Sequence, residues 1–208
     1  MTAQAGSASS PSLLERDRIR RELRAQRREL SPAFRSHAAV RFAHLAARTR
    51  LLRPHLRVAF YVPFGGEADP SELMRRAHLL HCALFLPVIA DFRRNRMRFV
   101  PFHAPDELVT NRYGIGEPIG SLQRAVPVRT LDLIFLPLVA FDTYGSRIGS
   151  GAGFYDRCLA HLHRNRRWRR PKLVGLAYDF QRVDRIATQP WDVPLDAVLT
   201  ERTLYRAP

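Results

Sequence analysis

The residues with the clearest capacity for chemistry lie in one glycine-rich segment, 145–153, and directly after it. The segment contains four glycines, Gly145, Gly149, Gly151 and Gly153. Arg147 lies within the segment, and Tyr155 and Asp156 follow it at the start of a stretch with helical spacing. Free backbone N–H groups in such a loop and at a helix start attract an anion, commonly a phosphate. The segment therefore predicts a phosphate-binding loop.

Asp156 indicates that a metal ion accompanies the phosphate. A bare carboxylate would repel a triphosphate, whereas Mg²⁺ is typically held by one or two carboxylates together with phosphates. A second carboxylate should then come from another segment, and Asp192 and Asp196 are the two candidates. An acid at a helix start is also typical of simple dipole compensation.

The spacing of the glycines excludes two common nucleotide-binding loops. The phosphate loop of the common NTPases requires a lysine in the loop, and none is present here. The dinucleotide fingerprint has a different spacing and an acidic residue on the following strand. A glycine run is equally typical of a tight turn between a strand and a helix. The phosphate hypothesis therefore depends on the charged neighbours.

A second concentration of charge lies on a predicted basic helix, 13–30. Its arginines Arg16, Arg20, Arg24 and Arg27 lie on nearly one face, because residues four positions apart are neighbours on a helix. A solvated face is the usual explanation of such a charge run. The functional alternative is that these arginines clamp phosphates.

Glu67 ends the segment YVPFGGE, 61–67, which leaves the carboxyl end of a predicted strand. A lone carboxylate in a loop is more often solvated than functional. This loop, however, emerges on the side of an α/β sheet where ligands bind. Glu67 is therefore a candidate ligand contact.

Composition limits the class of protein and the sign of its partners. The 208 residues, 46% of them apolar, suit a single domain at 13–208, preceded by a predicted disordered tail at 1–12. No apolar run is long enough to span a bilayer, and the tail lacks the pattern of a secretory signal. The net charge of +15 favours polyanionic partners. The two cysteines, Cys82 and Cys158, fit no metal motif and are predicted to be reduced in a cytoplasmic protein.

An alternation of strands and helices must position these side chains. The predicted helices are 13–30, 32–50, a helix from Asp69 to about 80 that Asp69 would cap, and 154–165. The predicted strands are 57–62, 82–89, 97–100, 133–139, 172–177 and 197–199, with mostly loop at 101–127. Such alternation predicts an α/β fold with a largely parallel sheet and helices on both faces. The apolar run at 131–141 indicates a central strand buried on both faces.

The segment FDTYGSRIGSGAGFYDR, 141–157, resembles the signature FDxxGxRLGxGGGYYDR of the 5-formyltetrahydrofolate cyclo-ligase family, also called 5,10-methenyltetrahydrofolate synthetases. Further matches are RDRIR at 16–20 with the family's KxxLR, the loop at 61–67, GIGEP at 114–118 and LDAVLTE at 195–201. Arg16 replaces a lysine of the family pattern, Ala152 a glycine and Phe154 a tyrosine. Ala152 is acceptable if its position does not need a positive φ.

The resemblance implies a fold and a reaction. The family fold is a three-layer α/β/α sandwich with a mostly parallel sheet, similar to the ribose-5-phosphate isomerase and CoA-transferase group. The implied reaction is the ATP-dependent cyclisation of 5-formyltetrahydrofolate to 5,10-methenyltetrahydrofolate, with release of ADP and phosphate. ATP phosphorylates the formyl oxygen, N10 attacks the activated carbon, and Mg²⁺ is the implied metal.

The resemblance also implies roles for individual residues. The implied ATP-binding residues are Arg16, Arg20, Arg147, Ile148, Gly149, Ser150, Gly151, Ala152, Gly153, Phe154 and Tyr155. Arg147 and Tyr155 are the implied catalytic residues. Val62 and Glu67 would contact the folate. Asp156 and Asp196 would hold the metal.

The implied partners are two small molecules, 5-formyltetrahydrofolate and ATP, acting on a cytoplasmic monomer without a membrane or nucleic acid. Two other functions compete with this interpretation. A basic RNA-associated module would use the helix at 13–30 and the arginine cluster at 166–170, but the sequence lacks the interleaved aromatic residues of a stacking surface. A nucleotide-binding α/β enzyme of other specificity would share only the glycine loop.

Overall fold

The computed structural model describes residues 13–103, 108–119, 122–164 and 171–208. The predicted disordered tail at 1–12 and the basic cluster at 166–170 lie outside the described residues. The four helices are α1 Leu13–Arg28, α2 Pro32–Arg48, α3 Ser71–Leu79 and α4 Phe154–Arg164. The strands are β1 Arg57–Ala59, β2 Ala83–Asp91, β3 Arg96–Phe102, β4 Leu108–Thr110, β5 Gly116–Pro118, β6 Leu133–Pro137, β7 Ala140–Phe141, β8 Arg147–Ile148, β9 Lys172–Leu176, β10 Ala197–Leu199 and β11 Leu204–Arg206.

Seven strands form the main sheet, in the order β11-β10-β9-β6-β1-β2-β3. The five central strands run parallel, and the edge strands β11 and β3 pair antiparallel to their neighbours. The predicted mostly parallel sheet is therefore confirmed. The strand that precedes the glycine loop, β6, lies at the centre of the sheet, which explains its unbroken apolar sequence.

Two apolar cores make the arrangement a three-layer sandwich. On one face of the sheet, Phe42 of α2 and Leu73 of α3 pack in the same cluster as Phe135 of β6. On the other face, Leu159 of α4 packs in the same cluster as Ile134 of β6. Consecutive strand residues thus serve opposite cores, as the two-residue period of a strand requires.

Of the two predicted helix caps, that of α2 is confirmed and that of α3 lies one residue later than predicted. Ser31 caps α2 as predicted, because its hydroxyl oxygen accepts the Phe34 amide at 3.1 Å. Asp69 does not occupy the cap position of α3, which belongs to Pro70. Its carboxylate accepts the amide of Ser71 at 2.9 Å instead.

Three short pairings were absent from the prediction. The hairpin of β7 and β8 separates the central strand from the glycine loop, so the loop does not follow the strand directly. The hairpin of β4 and β5 occupies part of the segment expected to be loop, and β11 closes the sheet edge. Strands of two or three residues carry no apolar periodicity that a sequence pattern can reveal.

Among the described residues, no helix combines the length and the apolar character needed to cross a membrane.

Candidate active site

The glycine loop, defined as residues 149–153, lies between β8 and the start of α4 and is open toward solvent. A Cβ atom added to Gly149 or to Gly151 would meet no atom within 4 Å. Gly151 and Gly153 have φ values of +107° and +68°, which favour glycine. Ala152 is not among the residues with positive φ, so alanine is accommodated at this departure from the family pattern.

Three carbonyl groups of the glycine loop accept hydrogen bonds from side chains. Gly149 O accepts Arg20 Nε at 3.1 Å, and Ser150 O accepts Arg24 Nη2 at 2.8 Å. Ala152 O accepts two side chains, those of Asn95 at 3.1 Å and Arg157 at 2.8 Å. Within the described part of the chain, no hydrogen bond uses the N–H groups of residues 149–152. The loop therefore keeps backbone donors available for an anion.

Arg147 and Asp156 are brought together as an ion pair. Arg147 Nη2 lies 2.5 Å from Asp156 Oδ1, and the Arg147 side chain is only 5% exposed. Arg147 Nη1 also donates to Val193 O, and Val193 N donates to Asp156 Oδ1 at 3.4 Å. The predicted phosphate arginine and the predicted metal ligand thus form one unit at the start of α4.

The two candidates for a second carboxylate lie in different places. Asp192 is next to Val193, and its Oδ2 pairs with Arg16 Nη1 at 2.8 Å. Asp196 precedes β10 at the amino end of the parallel strands, where its Oδ2 accepts Leu173 N at 2.7 Å. Asp192 is thus adjacent to Val193, which bonds Asp156, whereas Asp196 bonds at the amino end of the strands.

Four arginines of α1 face the protein, so the solvated-face explanation of this charge run is wrong. Arg16 is 6% exposed and also donates to Ala187 O at 2.9 Å. Arg20 and Arg24 support the glycine loop through the bonds described above. Arg27, predicted as a phosphate clamp, instead donates to Gly65 O at 3.2 Å, in the loop that carries Glu67.

The Glu67 loop, defined as residues 63–67, follows the carboxyl end of β1 and is packed against α1. Gly65 and Gly66 have positive φ values. A Cβ on Gly66 would lie 3.2 Å from Arg27 O, and the Glu67 carboxylate accepts Phe64 N at 3.2 Å. Burial raises the pKa of Glu67, while the charges of Arg27 and Arg24 oppose the rise. Glu67 is therefore not a solvated surface carboxylate.

Three tyrosine side chains lie near the Glu67 loop. The Tyr155 hydroxyl is buried and has no hydrogen-bond partner among the described residues. Burial and the nearby Glu67 charge raise its pKa, so it stays protonated. Two further tyrosines, which the sequence analysis missed, bond to this region: Tyr61 donates to Ala68 O at 2.5 Å and Tyr178 to Glu67 O at 3.4 Å. Their positions after strand ends were the available signal.

A wall of apolar residues lies beside Val62, and the sequence analysis did not identify it. A Cβ on Gly116 of β5 would lie 3.7 Å from Val62 Cγ1. Tyr113, in the turn of the same hairpin, packs edge-on against Phe154 with ring centroids 6.2 Å apart. Phe64 is 50% exposed next to this turn. The hairpin thus spans from the Glu67 loop to the start of α4.

The donor chemistry of the site fits a metal that arrives with phosphates. Among the described residues, no three His, Cys, Asp or Glu side chains are grouped to hold a metal ion. The carboxylate oxygens of Asp156 and Asp192 are hard ligands of the kind Mg²⁺ takes. Two protein carboxylates leave further ligand positions for phosphate oxygens or water, which suits a metal–nucleotide complex.

Covalent catalysis by a thiol has no support here. Burial raises the pKa of Cys158 to about 11, so this side chain is a neutral thiol near pH 7. Cys82 is buried and its Sγ donates to Arg53 O at 3.2 Å. The arrangement instead offers anion binding, a buried carboxylate and a buried phenol in one site.

Comparison with known proteins identifies a family over most of the chain. Residues 13–201 match the model described as the 5-formyltetrahydrofolate cyclo-ligase family. A 5-formyltetrahydrofolate cyclo-ligase of Escherichia coli strain K12 is 37% identical over 150 residues, which cover 71% of this chain and 79% of the relative. One from Haemophilus influenzae is 33% identical over 187 residues, which cover 89% and 97%.

Solved structures support the same fold. The 5,10-methenyltetrahydrofolate synthetase of Aquifex aeolicus superposes with a TM-score of 0.73 at 30% identity, covering 92% of both chains. That of Mycoplasma pneumoniae superposes with a TM-score of 0.69 at 22% identity, covering 90% of this chain and 99% of the other.

Proposed function

This chain belongs to the 5-formyltetrahydrofolate cyclo-ligase family, and from that premise we propose that it cyclises 5-formyltetrahydrofolate to 5,10-methenyltetrahydrofolate at the expense of ATP. The products besides the folate are ADP and phosphate. The names of the relatives supply the substrate class, since they share a third or more of their residues with this chain over most of its length.

The glycine loop is the proposed site for the phosphates of ATP. Its free N–H groups and the start of α4 favour negative charge. Arg20 and Arg24 hold the loop carbonyls from behind, which orients the opposite side of each peptide toward the ligand. Arg147 adds a charged donor at the start of β8, and Arg16 anchors α1 through Asp192.

The folate is proposed to lie between the Glu67 loop and the hairpin of β4 and β5. Val62 and Tyr113 give this region apolar surface for a flat ring system. Glu67 can accept a hydrogen bond from a ring N–H group. The buried hydroxyl of Tyr155 lacks a partner among the described residues, and such a group costs free energy until a ligand accepts a hydrogen bond from it.

The proposed chemistry needs positioning and charge stabilisation rather than a protein nucleophile. The formyl oxygen attacks the γ-phosphorus, the bond to the β–γ bridging oxygen breaks, and ADP leaves. N10 then attacks the activated formyl carbon and loses its proton, while phosphate departs with the former formyl oxygen. Arg147 and the loop N–H groups would stabilise the charge that develops on the transferred group. Glu67 and Tyr155 would hold the formyl end of the folate in line.

The metal implied by this reaction is Mg²⁺, and Asp156 is the residue proposed to hold it. Bound Mg²⁺ neutralises negative charge on the phosphates. Asp192 is the second proposed ligand, because its segment also supplies the Val193 amide that bonds Asp156. This differs from the expectation that Asp196 has that role. If Asp156 held the metal, its ion pair with Arg147 would be released. The Arg147 guanidinium would then be available to bind phosphate.

The single observation that supports the proposal most strongly is the orientation of the glycine loop. Three of its carbonyl groups accept hydrogen bonds from side chains of α1, of α4 and of Asn95, which directly precedes β3. The N–H groups on the other side of the loop remain open. An RNA-associated module would need the α1 arginines on its surface, but they bond to the protein itself. We also propose that the protein is a cytoplasmic monomer, since both cysteines are free thiols, as is typical of a reducing compartment.

The experiment that tests the function follows the absorbance of methenyltetrahydrofolate. Purified protein is mixed with 5-formyltetrahydrofolate and Mg²⁺, with and without ATP. We expect the methenyl band to grow only with ATP, together with one ADP per folate converted. Growth of the band without ATP, or ATP hydrolysis without the band, would contradict the proposed reaction.

A further inference from the structure

Arg27 is a buried charge that the proposed reaction has not yet used. It lies on the last part of α1 and is only 5% exposed. Among the described residues it has no carboxylate within ion-pair distance. A buried guanidinium without a direct counter-ion is costly, so its retention calls for a compensating role.

The guanidinium of Arg27 connects the Glu67 loop to the end of the central strand. Its Nε donates to Gly65 O at 3.2 Å in the Glu67 loop. Its Nη1 lies 3.4 Å from Leu138 O, just beyond the end of the central strand β6 that leads to the glycine loop. The planar fork of an arginine can hold two carbonyl groups in fixed relation, which a lysine cannot.

The backbone of Arg27 fixes the same loop from the other side. A Cβ on Gly66 would lie 3.2 Å from Arg27 O, and the φ of Gly66 is +78°. Arg35 Nη2 donates to Arg27 O at 3.0 Å and so holds the end of α1 in place. Main chain and side chain of one residue therefore set the position of the loop that carries Glu67.

We propose that Arg27 is a positioning residue that ties the Glu67 loop to the end of the central strand and acts as the counter-charge of the Glu67 carboxylate. The proposal rests on the proposed function for the identity of the ligand at the Glu67 loop. The coupling between Arg27 and Glu67 is independent of the proposed function.

The surroundings of Glu67 make Arg27 its principal counter-charge. The titratable groups that face Glu67 come from four parts of the chain, namely Arg27 and Arg24 of α1, Tyr61 after β1, Tyr155 of α4 and Tyr178 after β9. The tyrosines are neutral because burial raises their pKa values. The charge of Arg27 lowers the pKa of Glu67 more than that of Arg24 does.

The test compares Arg27→Met, Arg27→Lys and the exposed neighbour control Arg28→Met. The pKa of the Glu67 carboxyl is measured in each free protein by carbon NMR with labelled glutamate, assigned with Glu67→Gln. We expect Arg27→Met to raise the pKa of Glu67 by about one unit, because an opposite charge is lost. Arg27→Lys and Arg28→Met should leave it near the wild-type value. Arg27→Gln, which keeps hydrogen-bond donors without the charge, replaces Arg27→Met if that variant does not fold.

The kinetic arm separates positioning from charge. Arg27→Lys should raise the KM for 5-formyltetrahydrofolate by about tenfold, as expected for one lost charged hydrogen bond, with the acid limb of its pH profile unchanged. Arg27→Met should move that limb to higher pH. An unchanged pKa of Glu67 in both neutral variants overturns the proposal even if the wild type is active. A wild type without ATP-dependent cyclisation would overturn the proposed function, while the NMR titration would still decide the role of Arg27.

Discussion

The glycine loop and the Glu67 loop both contain closely spaced glycines, but the glycines have different roles in the two loops. At Gly149 and Gly151 an added Cβ would meet nothing within 4 Å. At Gly66 it would lie 3.0 Å from Arg35 Nη1 and 3.2 Å from Arg27 O. The first loop uses glycine to leave space and N–H groups for a ligand, and the second uses it to pack closely on a helix.

The two loops also differ in the charge that they present. Cationic side chains hold three carbonyl groups of the glycine loop, so the surface that stays open presents N–H donors. The Glu67 loop presents a carboxylate among neutral tyrosines, with Arg27 behind it. One helix, α1, supports both loops with successive arginines on one face. The comparison therefore predicts that damage to each loop has a different kinetic signature.

The largest effect should come from Asp156, the acidic residue of the nucleotide side. Asp156→Asn removes the charge proposed to hold Mg²⁺ while its amide oxygen can still accept from Arg147. We expect a loss of turnover on the order of 10³-fold, similar to the removal of a strong electrostatic contact in other active sites. The methenyl absorbance assay measures turnover, and a circular dichroism melt checks that the fold survives. Wild-type turnover in this variant would refute the metal role.

A matched pair then locates the second carboxylate. Asp192→Asn should reduce turnover and raise the Mg²⁺ concentration needed for half-maximal rate by about tenfold or more. Asp196→Asn should leave that concentration within about twofold, because Asp196 lies at the amino end of β10 and accepts Leu173 N. A larger effect at Asp196 than at Asp192 would restore the assignment that the family resemblance implies.

Replacing one glycine of each loop by alanine tests directly whether the two loops use glycine differently. Gly149→Ala should leave the melting temperature unchanged and raise the KM for ATP by about tenfold, because its methyl group enters open ligand space. Gly66→Ala should cost about 1–3 kcal/mol of stability, because its φ is +78° and its Cβ meets the backbone. Thermal melts and separate KM values measure both effects. Equal stability losses in the two variants would mean that the loops do not differ as described.

The smallest effect concerns the stability of the Glu67 side. Because burial raises the folded-state pKa of Glu67, its protonated form is favoured in the fold and stability falls as pH rises through that pKa. Glu67→Gln mimics the neutral form and should raise the melting temperature at pH 7 by a few degrees at most. The gain should vanish below the unfolded-state value of 4.5. A gain that persists there would exclude this electrostatic cause.

Glu67→Gln should also act on the folate side of the reaction. The KM for 5-formyltetrahydrofolate should rise while the KM for ATP stays near the wild-type value. The opposite pattern would move Glu67 out of the folate site.

Much of the site followed from the sequence because its residues lie at strand and helix ends. The central strand and the start of α4 at Phe154 were predicted in place, whereas the β7–β8 hairpin that carries Arg147 was not. What the sequence did not reveal depended on long-range contacts. The pairing of Arg147 with Asp156, the choice between Asp192 and Asp196, and the turn of Arg27 toward Gly65 each need the folded chain. Periodicity identifies a face of a helix, but it does not identify what that face meets.

The central claim is that the glycine loop binds the nucleotide and the Glu67 loop binds the folate, and glycine-selective NMR tests it most directly. Labelling with ¹⁵N-glycine gives signals from only the 11 glycines of the chain, and Gly149→Ala and Gly66→Ala assign key members. Addition of Mg²⁺ and a non-hydrolysable ATP analogue should shift the amide signals of Gly149, Gly151 and Gly153 and leave Gly65 and Gly66 nearly unchanged. Addition of 5-formyltetrahydrofolate alone should do the reverse. Nucleotide-induced shifts at Gly65 and Gly66 with none in the glycine loop would contradict the account.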